Sequence, residues 1–185
     1  MTTVLRTARL ELLPMTLAMV EAVLHGRRED AEALACAAMP ARWPNRELIE
    51  RAFSITLESV RESPEGRLWG ARVMVASPED AERRVIGSIV FHGAPEPDGT
   101  SEIAYGVDAA SQGRGYATEA VGASVAWALE QPGVRAVRAT TFGWHRASVR
   151  VLEKVGMVVV DARQHETMGE MIVFERTLTP EARSL

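Results

Sequence analysis

Residues 111–120 read SQGRGYATEA, so two glycines and an arginine come directly before a run with helical spacing. The first turn of a helix has unpaired N–H groups and a partial positive charge, and it binds phosphate well where no side chain blocks the approach. Gly113 and Gly115 remove such side chains, and Arg114 adds a charge. The amides from Gly113 to Ala117 are therefore a candidate anion-binding nest that suits a diphosphate. The alternative is a glycine-rich turn that only joins a strand to a helix.

Two common phosphate-binding motifs do not match this loop. The dinucleotide fingerprint G-x-G-x-x-G requires a glycine where this chain has Thr118, and it belongs to an early strand–helix–strand unit. A P-loop requires a Gly-Lys pair, which occurs nowhere in the chain. The spacing argues against a nicotinamide-dependent enzyme and gives no support to nucleotide hydrolysis.

The loop is flanked by a predicted strand and a long predicted helix. Residues 100–107, TSEIAYGV, alternate as a strand does, and apolar residues at helical spacing run from about Tyr116 to Gln131. Pro132 and Gly133 then end the helix.

The rest of the chain predicts an α/β domain with the order β, α, α, β, β, β, α, β, α, β, β. Other strands are predicted at about 4–13, 68–75, 85–92 and 134–142, with two more after residue 157, and other helices from Thr16, after Pro44 and Asn45, and at 146–155. Gly156 closes the last helix as a C′ glycine. No repeat or linker divides the chain, so we expect one domain over residues 1–185.

Composition and charge disfavour several classes of function. The 185 residues are 46% hydrophobic and carry a net charge of −4, and the charges are scattered, so no basic stripe marks a nucleic-acid or membrane surface. Neither a leader nor an 18-residue apolar run is found, which predicts a cytoplasmic protein. The single cysteine, Cys36, lies in an alanine-rich run where we expect a small buried side chain. The histidines lack metal-ligand spacing, so no metal site is predicted.

Four ordered segments resemble one enzyme family. They are VIGSIVF at 85–91, SEIAYGV at 101–107, SQGRGYATEA at 111–120 and HRASVRVLEKVGM at 145–157. Together they resemble the GNAT superfamily of N-acetyltransferases, and more closely its RimJ/RimL-type branch, which acetylates the N-termini of ribosomal proteins. The resemblance implies the GNAT fold, in which helices flank a mostly antiparallel sheet with splayed middle strands. It also implies acetyl-CoA as acyl donor, an amine as acceptor and a homodimer, which is common in this branch.

The resemblance also assigns residues to the donor. The loop that cradles the coenzyme A pyrophosphate would be formed by Gln112, Gly113, Arg114, Gly115, Tyr116, Ala117 and Thr118, and further contacts would come from Val107, His145 and Ser148. The pantetheine arm would pair with the exposed backbone at the end of the strand that contains Val107, as an added strand does. An N–H group near Val107 would also polarise the thioester carbonyl.

Glu102 is the candidate general base. Period-two alternation places Glu102, Ala104 and Gly106 on one face of their strand, and Ile103 with its bulky neighbours on the other. A carboxylate beside two small residues leaves room for a ligand next to a base. By resemblance, Glu102 would act on the incoming amine through water, and the alternative is a solvent-facing glutamate at a strand edge.

Ser148 is the candidate acid. In RASVRVLEKV it shares a helical stripe with Val151, Leu152 and Val155, and a hydroxyl on such a stripe needs a partner. By resemblance it would help to protonate the departing thiolate, a role that many superfamily members give to a tyrosine where this chain has Leu152. The alternative is a first-turn serine that bonds the local backbone.

Some positions depart from the family pattern. His145 replaces an asparagine near the cofactor arm, so the side chain at this contact has a different size and can titrate. Met157 replaces a phenylalanine. Arg42 and Trp43 are speculative contributors to the acceptor site, with a structural tryptophan as the alternative.

The sequence thus predicts direct transfer of acetyl from acetyl-CoA to a primary amine without a covalent enzyme intermediate. A protein N-terminal amine is the favoured acceptor, and a small-molecule amine or aminoglycoside is a further candidate. The alternative from another class is a noncatalytic acyl-CoA-binding sensor or interaction module, which the changes at His145 and Leu152 motivate.

Overall fold

The computed structural model describes residues 4–41, 69–76 and 82–178. Within these ranges the chain forms an eight-stranded sheet and four helices. The helix predicted after Asn45, together with Arg42 and Trp43, lies outside the described residues.

The elements follow the predicted order with two additions. The first half contains β1 (Leu5–Arg6), β2 (Leu10–Pro14), α1 (Leu17–Leu24), α2 (Arg28–Ala35), β3 (Arg72–Ala76) and β4 (Arg84–Phe91). The second half contains β5 (Thr100–Val107), a 3-10 turn (Ala109–Ser111), α3 (Tyr116–Leu129), β6 (Ala136–Phe142), α4 (Arg146–Lys154), β7 (Val158–His165) and β8 (Gly169–Thr177).

The two additions have local causes. The predicted first strand is broken into β1 and β2 by a turn in which the Thr7 amide donates to the carbonyl of Leu10. The helix α2 reads REDAEALA, and it buries only Ala31 and Ala35. Small alanines on an otherwise charged segment give too weak an apolar period for the sequence to predict a helix there.

The strand order in the sheet is β1-β2-β3-β4-β5-β6-β8-β7, and only the β5–β6 pair of named strands is parallel. A parallel pair requires a crossover connection, which α3 supplies. The predicted mostly antiparallel sheet with flanking helices is thus confirmed. The loop before α3 follows β5 through the 3-10 turn, so it lies at the end of β5.

Apolar side chains cover both faces of the sheet. On one face, Met74 and Ile103 join a cluster with residues of α3 and α4, such as Val121 and Leu152. On the other face, neighbouring residues of β3 pack against α1 and α2. This alternation matches the period of two in a strand that is covered on both sides.

The prediction for Cys36 was wrong. The residue is exposed, and it follows the last residue of α2 with a φ of 47°, in the left-handed region. It caps the end of the helix instead of filling the alanine-rich core next to it, because its turn carries its side chain out of the helix face that Ala31 and Ala35 bury.

Candidate active site

The loop before α3 forms an open cradle of backbone amides. Gly113 and Gly115 have φ values of 74° and 81°, in the left-handed region where glycine is favoured. Among the described residues, the amides from Gly113 to Thr118 have no backbone acceptor. An added Cβ at Gly113 would meet nothing within 4 Å, and one at Gly115 would meet only the Arg9 guanidinium, at 3.4 Å. The amides therefore face free space of the kind that a diphosphate needs.

Arg9, in the turn between β1 and β2, holds this loop in place. One of its guanidinium nitrogens donates to the carbonyl of Arg114 at 2.9 Å, and another lies 2.6 Å from a carboxylate oxygen of Glu119. The guanidinium also lies over the ring of Tyr116, 4.7 Å from the centroid. No role for Arg9 follows from the sequence, because a contact across more than 100 residues leaves no local pattern.

Gln112 and Val107 fix the other side of the cradle. The side-chain amide of Gln112 donates to the carbonyl of Val107 at 2.9 Å, so the loop folds back on the end of β5. The side chain of Gln112 thus has a structural partner. Arg114 and His145 are both exposed, and His145 is the N-cap residue of α4 without a side-chain cap bond. The donor contacts assigned to these residues stay predictions.

The strands β5 and β6 separate after three paired positions. Their register pairs Thr100, Ser101 and Glu102 with residues 136–138 and then stops. On the other side of β5, residues 103–107 stay paired with β4. The Asp108 amide donates to the Ile86 carbonyl, and the His92 amide donates to the Glu102 carbonyl. Both bonds continue the register of the β4–β5 pair at its two ends.

This register identifies the free backbone groups of β5. In an antiparallel ladder only every second pair exchanges hydrogen bonds. Glu102, Ala104 and Gly106 therefore point their amides towards β4, while Tyr105 and Val107 point theirs into the gap beside β6. The N–H groups of Tyr105 and Val107 are thus available to an added strand-like ligand.

Glu102 lies at the closed end of this gap, at the last paired position. The hydroxyl of Thr140 on β6 donates to Oε1 at 2.9 Å, and Nδ1 of His92 lies 3.5 Å from Oε2. The contact with His92 is the main cause that lowers the pKa of Glu102; burial opposes it, and Thr140 and the charge of Arg138 add to it. The carboxylate is ionised at neutral pH.

Ser148 has a side-chain partner that the sequence did not reveal. Its Oγ lies 2.8 Å from the hydroxyl of Tyr105, which also donates to the Ser148 carbonyl at 3.3 Å. Burial raises the pKa of Tyr105, and the bond to Ser148 opposes this effect. Ser148 and Leu152 are buried on α4, on the stripe that the sequence predicted. Tyr105 has one hydroxyl proton, and when it is donated to Oγ instead of to the carbonyl, the serine proton is free to be given to a third group.

The geometry as a whole suits a long, thin ligand with a phosphate at one end. The cradle follows the end of β5, whereas Glu102 lies near the start of the strand. Five residues of strand separate Glu102 from Val107, which is about 17 Å. A ligand that reaches both must extend along the open edge of β5.

In the part of the chain that the structure describes, no helix is long and apolar enough to cross a bilayer. The same residues contain no group of three His, Cys, Asp or Glu side chains placed to hold a metal ion.

Comparisons with known proteins agree on the fold. Ribosomal-protein-S5-alanine acetyltransferase from Vibrio fischeri has a TM-score of 0.65 at 14% identity, over 95% of this chain and 97% of that one. A GNAT-family acetyltransferase from Bordetella pertussis has a TM-score of 0.63 at 21% identity, over 95% and 100%. RimL, a ribosomal L7/L12 alpha-N-protein acetyltransferase in complex with coenzyme A, has a TM-score of 0.63 at 15% identity, over 95% of this chain and 97% of that one.

No curated protein matches the sequence at a significant level. A family model does match, and it covers most of the chain. Residues 9–158 match the model of the acetyltransferase (GNAT) domain, and this range includes the cradle, the gap between β5 and β6, Glu102 and Ser148. The chain therefore belongs to the GNAT acetyltransferase family and is an acetyl-CoA-dependent acetyltransferase.

Proposed function

We propose that this acetyltransferase acetylates the α-amino group of a protein N-terminus, in the manner of the RimJ/RimL-type branch. One observation carries the proposal: the gap between β5 and β6 has an amide cradle at one end and an ionised carboxylate, Glu102, at the other. Acetyl-CoA supplies an activated acetyl thioester. The residues of the chain bind the donor, orient the amine and transfer its protons.

The residues around the gap fit this donor. The free amides from Gly113 to Thr118 would hold the pyrophosphate, and the N–H groups of Tyr105 and Val107 would bind the amide-bearing arm. Arg114 and His145 are exposed, and Arg114 would contact a phosphate and His145 the arm. We propose that all of residues 1–185 form this single enzyme domain and that it works in the cytoplasm.

The lowered pKa of Glu102 supports an α-amino acceptor. A carboxylate with a pKa below its ordinary value is a weak base. An α-amino group with a pKa of about 7.7–8.0 is roughly a quarter to two-fifths neutral at pH 7.5, whereas a lysine amine is neutral about once in a thousand. An N-terminal amine therefore needs less help from Glu102 to lose its proton than a more basic amine does. A lysine, polyamine or aminoglycoside would need more.

A panel of acceptors tests the acceptor class. Thiol release from acetyl-CoA is followed at pH 7.5 with a lysine-free peptide that begins with free alanine, with an N-blocked peptide that contains one lysine, with spermidine and with kanamycin. We expect the free N-terminus to give the highest kcat/KM. A higher value for one of the other three would assign the enzyme to that acceptor instead.

Ser148 and Tyr105 are proposed to protonate the departing thiolate. A thiol has an ordinary pKa of about 8.5, so its anion leaves readily and needs modest help. We expect Ser148→Ala to lower kcat about tenfold at pH 7.5, below the usual range for acid catalysis. Tyr105→Phe should lower it less, because the serine hydroxyl remains. Above pH 9 both variants should approach the wild-type rate, and an unchanged deficit there would contradict the role.

A homodimer is part of the proposal. The strand β7 is the edge of the sheet, and Val158, Val159 and Val160 on it are 63%, 56% and 47% exposed. An exposed apolar edge strand is a surface that proteins usually cover. Sedimentation equilibrium should give twice the mass of the chain, and a single-chain mass at all concentrations would refute the dimer.

A further inference from the structure

Three neighbouring strands bring one polar side chain each to the closed end of the gap. His92 follows β4, Glu102 lies on β5 and Thr140 lies on β6. The backbone also ties the first two together, because the His92 amide donates to the Glu102 carbonyl at 3.0 Å. In the sequence His92 is an isolated histidine, since ten residues and a turn separate it from Glu102 along the chain.

The orientation of the imidazole is set by this cluster. Nδ1 is the ring nitrogen that faces Glu102, at 3.5 Å from Oε2, which is the range of an ion pair and longer than a well-formed hydrogen bond. The other carboxylate oxygen is occupied by Thr140. Among the described residues, Nε2 of His92 has no partner, and the side chain is 54% exposed. The ring thus faces Glu102 with one nitrogen and is open at the other.

We propose that His92 is a catalytic residue of this enzyme, in which Nε2 accepts the proton of the acceptor's ammonium group while Glu102 positions the ring through Nδ1. This inference rests on the proposed function and identifies the atom that takes the proton. The N–H bond of the ammonium breaks, its proton moves to Nε2, and the electron pair stays on nitrogen. That pair then forms the bond to the acetyl carbon as the C–S bond breaks. The new amide nitrogen gives up its second proton, the departing thiolate takes one proton through Ser148, and His92 returns the other to water.

The charges around the ring agree with this role. Glu102 on β5 raises the pKa of His92, and burial opposes that effect. A base works best when its pKa is close to the working pH, so the imidazole suits an α-amino group better than the carboxylate does. Thr140 is neutral, and Arg138 on β6, which lowers the pKa of Glu102, is itself paired with Glu175 on β8 at 2.7 Å. Among the described residues, Glu102 is the anion that contacts the ring.

His92→Ala tests the inference with the free-alanine peptide and acetyl-CoA. We expect kcat to fall about 100-fold, the low end for loss of a general base. Added imidazole should restore part of the rate to this variant and not to the wild type. In the wild type, kcat should rise as pH increases through the raised pKa of His92, because only neutral imidazole accepts a proton. This limb should be absent in the variant.

His25→Ala is the matched control, because His25 is another exposed histidine whose Nδ1 contacts the protein, at 2.7 Å from the Glu21 carbonyl. It should behave as the wild type does. Acetyl-CoA affinity and melting temperature, measured for each variant, confirm that the fold and donor site are intact. A kcat of His92→Ala within threefold of the wild-type value overturns the inference. So does a slow variant whose kcat keeps the wild-type dependence on pH and does not rise when imidazole is added. If the wild type itself acetylates none of the four acceptors, the proposed function has failed instead.

Discussion

Replacing Glu102 by glutamine is expected to lower kcat for an N-terminal amine about 100-fold and for a lysine amine by up to about 10⁴-fold, which is the range for general-base catalysis. Glutamine has the same shape, and its oxygen can still accept the bond from Thr140. It cannot take a proton or stabilise a protonated His92. Because Glu102 lies at the end of the gap away from the cradle, the affinity for acetyl-CoA should not change.

Glu11→Gln is the matched control for this substitution. Glu11 on β2 is another carboxylate whose pKa is lowered, chiefly by its bond to Arg83. It lies away from the gap, so its loss should leave kcat unchanged. A Glu102→Gln enzyme with a wild-type melting temperature and a kcat within threefold of wild type would remove Glu102 from the chemistry.

Gly113→Ala is expected to weaken acetyl-CoA binding by about 10- to 100-fold. An alanine methyl would enter the open space beside the loop, where the diphosphate is proposed to bind. Losing one hydrogen bond to a charged group costs about 1.5–3 kcal/mol. The left-handed φ of 74° adds a folding cost of about 1–2 kcal/mol for any residue with a Cβ. In a domain of this size, that lowers the melting temperature by about 2–8 °C without ligand.

Gly133→Ala separates binding from strain. Gly133 follows α3 at its other end, has a φ of 83°, and would also place a Cβ in open space. Its melting temperature without ligand should fall by a similar amount. Acetyl-CoA at 100 times its Kd should add about 2.7 kcal/mol to the free energy of unfolding. It should therefore raise the melting temperature of Gly133→Ala by as much as that of the wild type. Equal stabilisation of the Gly113→Ala variant would mean that the cradle does not hold the donor.

Local sequence patterns were enough to predict most of the fold and the position of the cradle. The alternation in TSEIAYGV placed Ile103 on the face of the strand opposite Glu102, and Ile103 is buried there with α3 and α4. The two glycines before Tyr116 predicted a helix start without side chains in front of its amides, and both have positive φ. Each of these features depends on neighbours in the chain, which is why a pattern reveals them.

The contacts that complete the site depend on tertiary structure, and no sequence pattern indicates them. Arg9 reaches the cradle from the first hairpin, and Tyr105 reaches Ser148 from a strand 43 residues earlier. His92 meets Glu102 only because β4 and β5 are in the register observed. A partner that is chosen by strand register or by helix packing leaves no period in the sequence, so a structure was needed to find it.

The most direct test of acetyl transfer is to incubate the purified protein with acetyl-CoA and the free-alanine peptide and to measure thiol release together with the mass of the peptide. We expect one acetyl group on the peptide for each thiol released, and no reaction with the same peptide blocked at its N-terminus. Binding of acetyl-CoA without thiol release for the peptide, the lysine peptide, spermidine or kanamycin would contradict this chemistry and would favour a noncatalytic acyl-CoA-binding module.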